Sequence, residues 1–370
     1  MPAFVSTWGP KLGMRQMVIS RYAFGYYGVI LCCVLNLIGM CGFSILNCIL
    51  GGQALASVLN GNLNWTVGIV VIGVVSLLVS FCGGSVLTWY ERVAWFPVII
   101  TFAIALGLGG KHLGDVTFEP ATARGVLSFA STLAGFTVTY TPLGSDYTTY
   151  FREDVKSWKI FLYSYFGFIL SIIPLQCTGA AVIASASSVP LWEQSHTNGD
   201  VGGLLEAMLE PVHGFGKFLT VLLSLSVIGN VAIVPRYFFS ALGTAIVIAL
   251  AVVGQHRFYE TLVNFLGLLG YWSAAYVMVI FLEHLYFRKG RFDLYDTTAW
   301  NTPSLLPTGI AAVAAVIFAF GPVVPCVDQI WYVGPVAETT GDIGFEVAFV
   351  ASAIFYFVFR WIEVRWRGGL

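Results

Sequence analysis

"GFTVTYTPLGSDYTTYFRED", residues Gly135 to Asp154, closes a long apolar run with Pro142, Gly144 and Asp146 in quick succession. Proline removes a backbone donor and clashes with the turn before it, while glycine accepts conformations that other residues avoid. The helix is therefore expected to unwind at Pro142 and Gly144. In one reading, an unwound segment at membrane depth offers carbonyls and amides to a substrate or ion, as in discontinuous transporter helices. In the other it is a plain proline kink. Asp146 and the following Arg152-Glu153-Asp154 read as a solvated helix end near the cytoplasmic surface, with a gate or ion pair as the alternative.

The rest of the chain makes membrane depth the right frame. Of 370 residues, 58% are hydrophobic and only 10% charged, with a mean hydropathy of +0.83, far from the balance of a soluble domain. Apolar blocks long enough to cross a bilayer, about 20 helical residues each, recur at 22–57, 65–83, 88–109, 125–150, 158–185, 214–231, 237–254, 261–286, 303–325 and 343–364. These ten blocks form one transmembrane domain over residues 1–370 in an all-α polytopic fold. With the N-terminus inside, fourteen of the 18 Lys and Arg fall in cytoplasmic loops, which places both termini in the cytoplasm. The longest outer loop, 186–213, carries Glu193, Asp200, Glu206 and Glu210. The formal net charge of -1 gives no field that would recruit nucleic acid. The seven cysteines lie mostly in apolar runs, without CxxC spacing, and read as small packing residues. Asn64-Trp65-Thr66 is a glycosylation sequon beside an outer turn.

Within hydrocarbon a polar side chain must face protein, water or a ligand. The first span places Ser44, Asn47 and Gln53 inside an apolar helix, and Phe43 shares a face with Asn47 one turn on. An aromatic plate beside an amide suits a flat heteroaromatic ligand; the alternative is Asn47 as a hydrogen-bonding link between helices. Asn230 is a similar single amide. No nucleophile and base pair, metal-ligand cluster or phosphate loop is legible, so an enzyme and a metal site are not expected.

Several motifs in order resemble the fungal purine-cytosine permeases of the nucleobase:cation symporter family 1: "GPKLGMRQMVISRYAFG" (9–25), "GFSILNCILGGQ" (42–53), "GSDYTTYF" (144–151), "NFLGLLGYWSAAY" (264–276) and "EHLYFRKG" (283–290). The resemblance implies a leucine-transporter-type inverted-repeat fold. It also implies import of cytosine and purines such as adenine, hypoxanthine and guanine by proton symport through alternating access, at the plasma membrane. No cofactor is implied beyond the coupling proton, and the partners are the substrate and the lipid bilayer.

Carried over by position, the family's third-helix tryptophan, serine and asparagine fall on Phe43, Ser44 and Asn47. Its sixth-helix tryptophan falls on Tyr140, six residues before Asp146. Phe43 and Tyr140 would then sandwich the base, Asn47 and Ser44 would read its edge, and Gln53 and Asn230 would assist. The aromatic replacements leave room for another flat substrate such as vitamin B6. The chain begins where the family's second helix ends, and "LLSLSVIGN" (222–230) runs directly into "VAIVPRYFFSAL" (231–242), where the family has more of its eighth helix. About ten of twelve helices are expected, with a non-transporting membrane protein as the competing reading.

Overall fold

The computed structural model describes residues 1–59, 62–82, 84–113, 120–231 and 237–369. It is helical almost throughout, apart from one two-residue hairpin, Asp328–Gln329 with Tyr332–Val333. Among the described residues, six helical segments are long and apolar enough to cross a membrane: Arg21–Val58, Arg92–His112, Ser157–Ser188, Val201–Asn230, Ser240–Phe287 and Gly344–Arg367. Trp65–Phe81 and Ile310–Cys326 are apolar but shorter. Large apolar side chains stand outward on these helices, such as Leu170 (70% exposed), Val253 (82%) and Ile310 (72%). That pattern suits a hydrocarbon solvent and would be an aggregation surface in water.

Three element ends differ from the sequence expectation. The helix expected over 125–150 stops at Val138 and is followed by a 3-10 turn, Thr141–Leu143, because Pro142 cannot continue the hydrogen-bond ladder. The outer loop over 186–213 contains two helices, Pro190–Thr197 and Val201–Leu209, the second capped by Asp200 Oδ1 on Gly203 N–H at 2.7 Å. The block expected from 303 becomes helical only at Ile310. Arg236, counted as cytoplasmic, and Gly83, the expected end of the second span, lie outside the described residues.

The chain divides into two compact units. One comprises residues 1–39, 120–171 and 263–370. It opens with three short helices, Pro2–Val5, Trp8–Leu12 and Gln16–Ile19, before the long Arg21–Val58 helix. Gly25 has φ +70° and Gly309 φ +80°, and a Cβ on Gly309 would stand 1.9 Å from Phe24 O. Only glycine permits this backbone-to-backbone approach. Helices Ile310–Val323 and Gly344–Arg367 pack along their length through small residues, with Ala312, Ala315 and Ala319 on one and Ala348 and Ser352 on the other buried.

The other unit comprises residues 40–119 and 172–262. Trp65–Phe81 packs against Tyr237–Gly254, and Trp192 is buried among Ala105, Val182, Leu204, Met208 and Leu219. The sequon residue Asn64 is the N-cap of Trp65–Phe81, its side chain accepting from Thr66 N–H at 3.2 Å.

Candidate substrate site

Phe43, Ser44, Asn47, Gln53 and Asn230 belong to one unit, and Tyr140, Pro142 and Gly144 to the other.

In the first group, the Ser44 hydroxyl donates to Met40 O at 2.9 Å and to Asn230 O at 3.2 Å. Two residues expected separately at the site, Ser44 and Asn230, therefore meet, through the backbone carbonyl of Asn230. Asn47 Nδ2 donates to Phe43 O at 2.8 Å, a bond back into its own helix that restrains the amide orientation. Gln53 is fully buried, and both ends of its amide engage the connection over 199–201: Nε2 donates to Gly199 O at 3.0 Å and Oε1 accepts from Val201 N–H at 3.2 Å. Gln53 thus anchors the start of the Val201–Leu209 helix. The same unit holds an apolar cavity of about 600 Å³, bordered by Leu50, Ala54, Phe102, Val182, Met208 and Tyr259 among others.

In the second group, Tyr140 follows the last turn of Ala123–Val138. Its ring lies 5.9 Å from Phe136, edge to face, and 5.5 Å from Phe168. Tyr140 and Phe168 line a cavity of about 300 Å³ together with Ser6, Gly144, Ser164 and Ser171. The break itself differs from the sequence expectation in kind. Gly144 is right-handed, at φ -54°, so its value is space rather than an unusual backbone: a Cβ there would meet Pro2 O and Val5 Cγ1, each at 3.2 Å. Backbone groups along the break bond one another, with Leu143 N–H on Tyr140 O, Gly144 N–H on Thr141 O and Asp146 N–H on Leu143 O. The polar atoms left over are side chains. Thr141 Oγ1 and Ser145 Oγ are buried without a hydrogen-bond partner among the described residues.

Sequence reasoning missed what covers this break. Residues 2–20 fold over it. Thr148 Oγ1 donates to Ser6 O at 2.6 Å, Thr149 Oγ1 to Met14 O at 3.2 Å, Lys11 Nζ to Glu153 O at 2.7 Å, and Arg15 Nη2 to Tyr150 Oη at 3.2 Å. Asp146, read as a solvated helix end, is half-buried instead, its Oδ1 accepting Gln16 N–H at 2.6 Å. The quoted motifs at 9–25 and 144–151 are thus two faces of one contact. Their joint presence in sequence was the available signal.

Comparison with known proteins agrees with this architecture. Residues 1–348 match the family described as "Permease for cytosine/purines, uracil, thiamine, allantoin". The chain is 34% identical to the purine-cytosine permease fcyB of Emericella nidulans over 99% of its own length and 76% of that protein. It is 34% identical to the purine-cytosine permease FCY21 of Saccharomyces cerevisiae, over 99% and 75% respectively. It is 28% identical to the vitamin B6 transporter TPN1 of the same yeast, over 98% and 76%. Its fold matches Mhp1, a nucleobase-cation-symport-1 family transporter solved closed with bromovinylhydantoin bound, with a TM-score of 0.65 at 14% identity, covering 98% of this chain and 82% of that one. The fold is therefore the leucine-transporter type, and no enzymatic role fits the family. The chain belongs to the purine-cytosine permease family of nucleobase:cation symporters and is a multi-pass membrane transport protein.

Proposed function

We propose that this permease imports cytosine and purines such as adenine, hypoxanthine and guanine by proton symport through alternating access. The observation that carries the reading is the 34% identity to a purine-cytosine permease over 99% of the chain. Phe43 and Tyr140 act as stacking aromatics, since a flat ring gains dispersion and quadrupole energy on an aromatic face. Asn47 reads the base edge. With one Nδ2 hydrogen on Phe43 O, Oδ1 and the second N–H are left, and Oδ1 is an acceptor for the exocyclic amino group common to cytosine and adenine. Ser44 reads the same edge, with Asn230 as a helper. The plasma membrane is the site of action, with both termini cytoplasmic.

Uptake of labelled cytosine or adenine in cells lacking their own carriers tests the reading, with Asn47→Ala beside the wild type. The expected result is saturable wild-type uptake and at least about tenfold weaker uptake by the variant, the loss of one buried hydrogen bond to substrate. Equal uptake by both removes Asn47 from the site, and absence of wild-type uptake at normal membrane abundance removes the nucleobase assignment. A second reading, another flat heteroaromatic such as vitamin B6, is favoured by the 28% identity to a vitamin B6 transporter. Competition of labelled adenine by unlabelled pyridoxine separates the two.

A further inference from the structure

Asp146 lies where the broken segment meets the N-terminal segment. Its Oδ1 accepts the N–H of Gln16 at 2.6 Å, and Gln16 is the first residue of the Gln16–Ile19 helix. Two further groups face this carboxyl, Arg15 and Tyr276. Arg15, on the N-terminal segment, shares its guanidinium with Tyr150. Tyr276, on the Phe258–Leu282 helix, accepts from Gln16 Nε2 at 3.3 Å and lies 2.6 Å from Ser20 Oγ. Burial pushes the Asp146 carboxyl above its ordinary range, against the opposing pull of Gln16 N–H and Arg15.

A second observation concerns the neighbours of Asp146. Gln16 Oε1 is buried without a partner among the described residues, and so is Ser145 Oγ on the adjacent residue. An ionised carboxylate only accepts hydrogen bonds and leaves an amide oxygen unsatisfied, whereas a carboxylic acid carries an O–H that an amide oxygen can accept. Gln16 N–H serves the carboxylate, and the unpartnered Gln16 Oε1 is an acceptor that the acid form could use. A purely structural cap needs only the first.

We propose that Asp146 is the proton-binding carboxyl of the transport cycle, a role that rests on the proton-symport reading above. A proton taken from water on the loading side adds to a carboxylate oxygen, and the resulting O–H donates to Gln16 Oε1. Release to water on the other side restores the carboxylate, held by Gln16 N–H with Arg15 as counter-charge. Tyr140, the proposed stacking residue, is six positions upstream in the same turn-rich segment. Proton occupancy and the hold on that segment are thereby linked.

The test uses the full chain in proteoliposomes, with labelled cytosine, and two readouts: accumulation driven by an imposed pH gradient, and counterflow exchange at equal pH. Wild type is expected to do both. Asp146→Asn, fixed in an uncharged form, is expected to keep measurable exchange and lose gradient-driven accumulation. Gln16→Met, which removes the partner of the acid form, is expected to keep accumulation with its pH midpoint lowered by about half a unit or more. Accumulation by Asp146→Asn equal to wild type overturns the inference alone and leaves proton symport standing. Loss of both activities at wild-type abundance also overturns it, since that is the signature of a structural cap. If wild type exchanges cytosine but ignores the gradient, the symport reading fails and the inference with it. Should Asp146→Asn not reach the membrane, an unmoved midpoint in Gln16→Met overturns the proposal.

Discussion

Arg360 grips Glu283 with two prongs: Nε lies 3.0 Å from Oε2 and Nη2 3.0 Å from Oε1, and neither side chain is more than 2% exposed. Arg288 Nε adds a third bond to Glu283 at 3.0 Å and Tyr356 Oη a fourth at 2.9 Å. Arg360 Nη1 continues to Glu363 at 2.9 Å, and Glu363 Oε1 accepts Thr308 N–H at 3.0 Å. Two cations and two anions thus close a neutral buried network that joins the end of the Phe258–Leu282 helix to the last helix. Removing one member leaves an uncompensated charge, which costs about 3–5 kcal/mol. Glu283→Gln is therefore expected to lower thermal stability in detergent by that amount. Adding Arg360→Met should cost less than the sum of the two single changes, by about 0.5–3 kcal/mol. Strict additivity would show that the pair is not coupled.

Gly309 makes the sharpest steric prediction. At φ +80°, with Phe24 O 1.9 Å from where its Cβ would be, Gly309→Ala brings both backbone strain and a clash with main-chain atoms that have no rotamer to escape into. Strain alone is about 1–3 kcal/mol, and the displaced backbone adds to it. A fluorescent fusion of Gly309→Ala should show reduced membrane abundance and early aggregation on size-exclusion chromatography. Gly290, also at positive φ but with nothing within 4 Å of its Cβ position, should tolerate the same change better.

The helical blocks were legible because hydrocarbon demands length and apolarity, and the break was legible because Pro142 and Gly144 fall in close succession, whereas the single prolines Pro97, Pro174 and Pro322 stay inside helices. The bonds that define the site were not, since they join residues far apart in sequence. Nothing local to "GPKLGMRQ" says that its amides and hydroxyl partners sit on residues 146–153. Arg288 and Arg360 stand near the ends of the spans expected over 261–286 and 343–364. In the fold their side chains are 5% and 0% exposed, and both are tied to Glu283. An acidic residue in an apolar run was the signal that a buried cation had to exist. Asn47 and Ser44 were readable as polar residues on an apolar helix, but Gln53 looked the same, and only its two bonds to Gly199 and Val201 set it apart.

Thr148 joins the broken segment to the cover above it, its buried hydroxyl donating to Ser6 O at 2.6 Å. Thr148→Val keeps the shape and removes the bond, leaving a buried carbonyl partly unsatisfied. A loss of about 1 kcal/mol is expected. Because the bond holds only the N-terminal cover, the effect should be local: faster amide hydrogen exchange in residues 2–20, with the Gly344–Arg367 helix unchanged. Uniformly faster exchange across both regions would mean that the cover does not open independently of the unit.

Asp200 predicts a pH dependence whose sign is fixed by burial. Withdrawal from water raises its carboxyl above the ordinary 3.8, and the Gly203 N–H it caps offsets this only in part. A folded pKa above the unfolded one means that the folded state binds the proton more tightly. The associated stability is present below the unfolded value and is lost as pH rises through the folded one. Asparagine at the same position keeps an oxygen for the cap and never ionises. Asp200→Asn should therefore match or exceed wild-type thermal stability at neutral pH, and should lack the decline that wild type shows as pH is raised from 3.8. A variant less stable than wild type at neutral pH would instead show that the charge on the cap, favoured at a helix N-terminus, outweighs its desolvation.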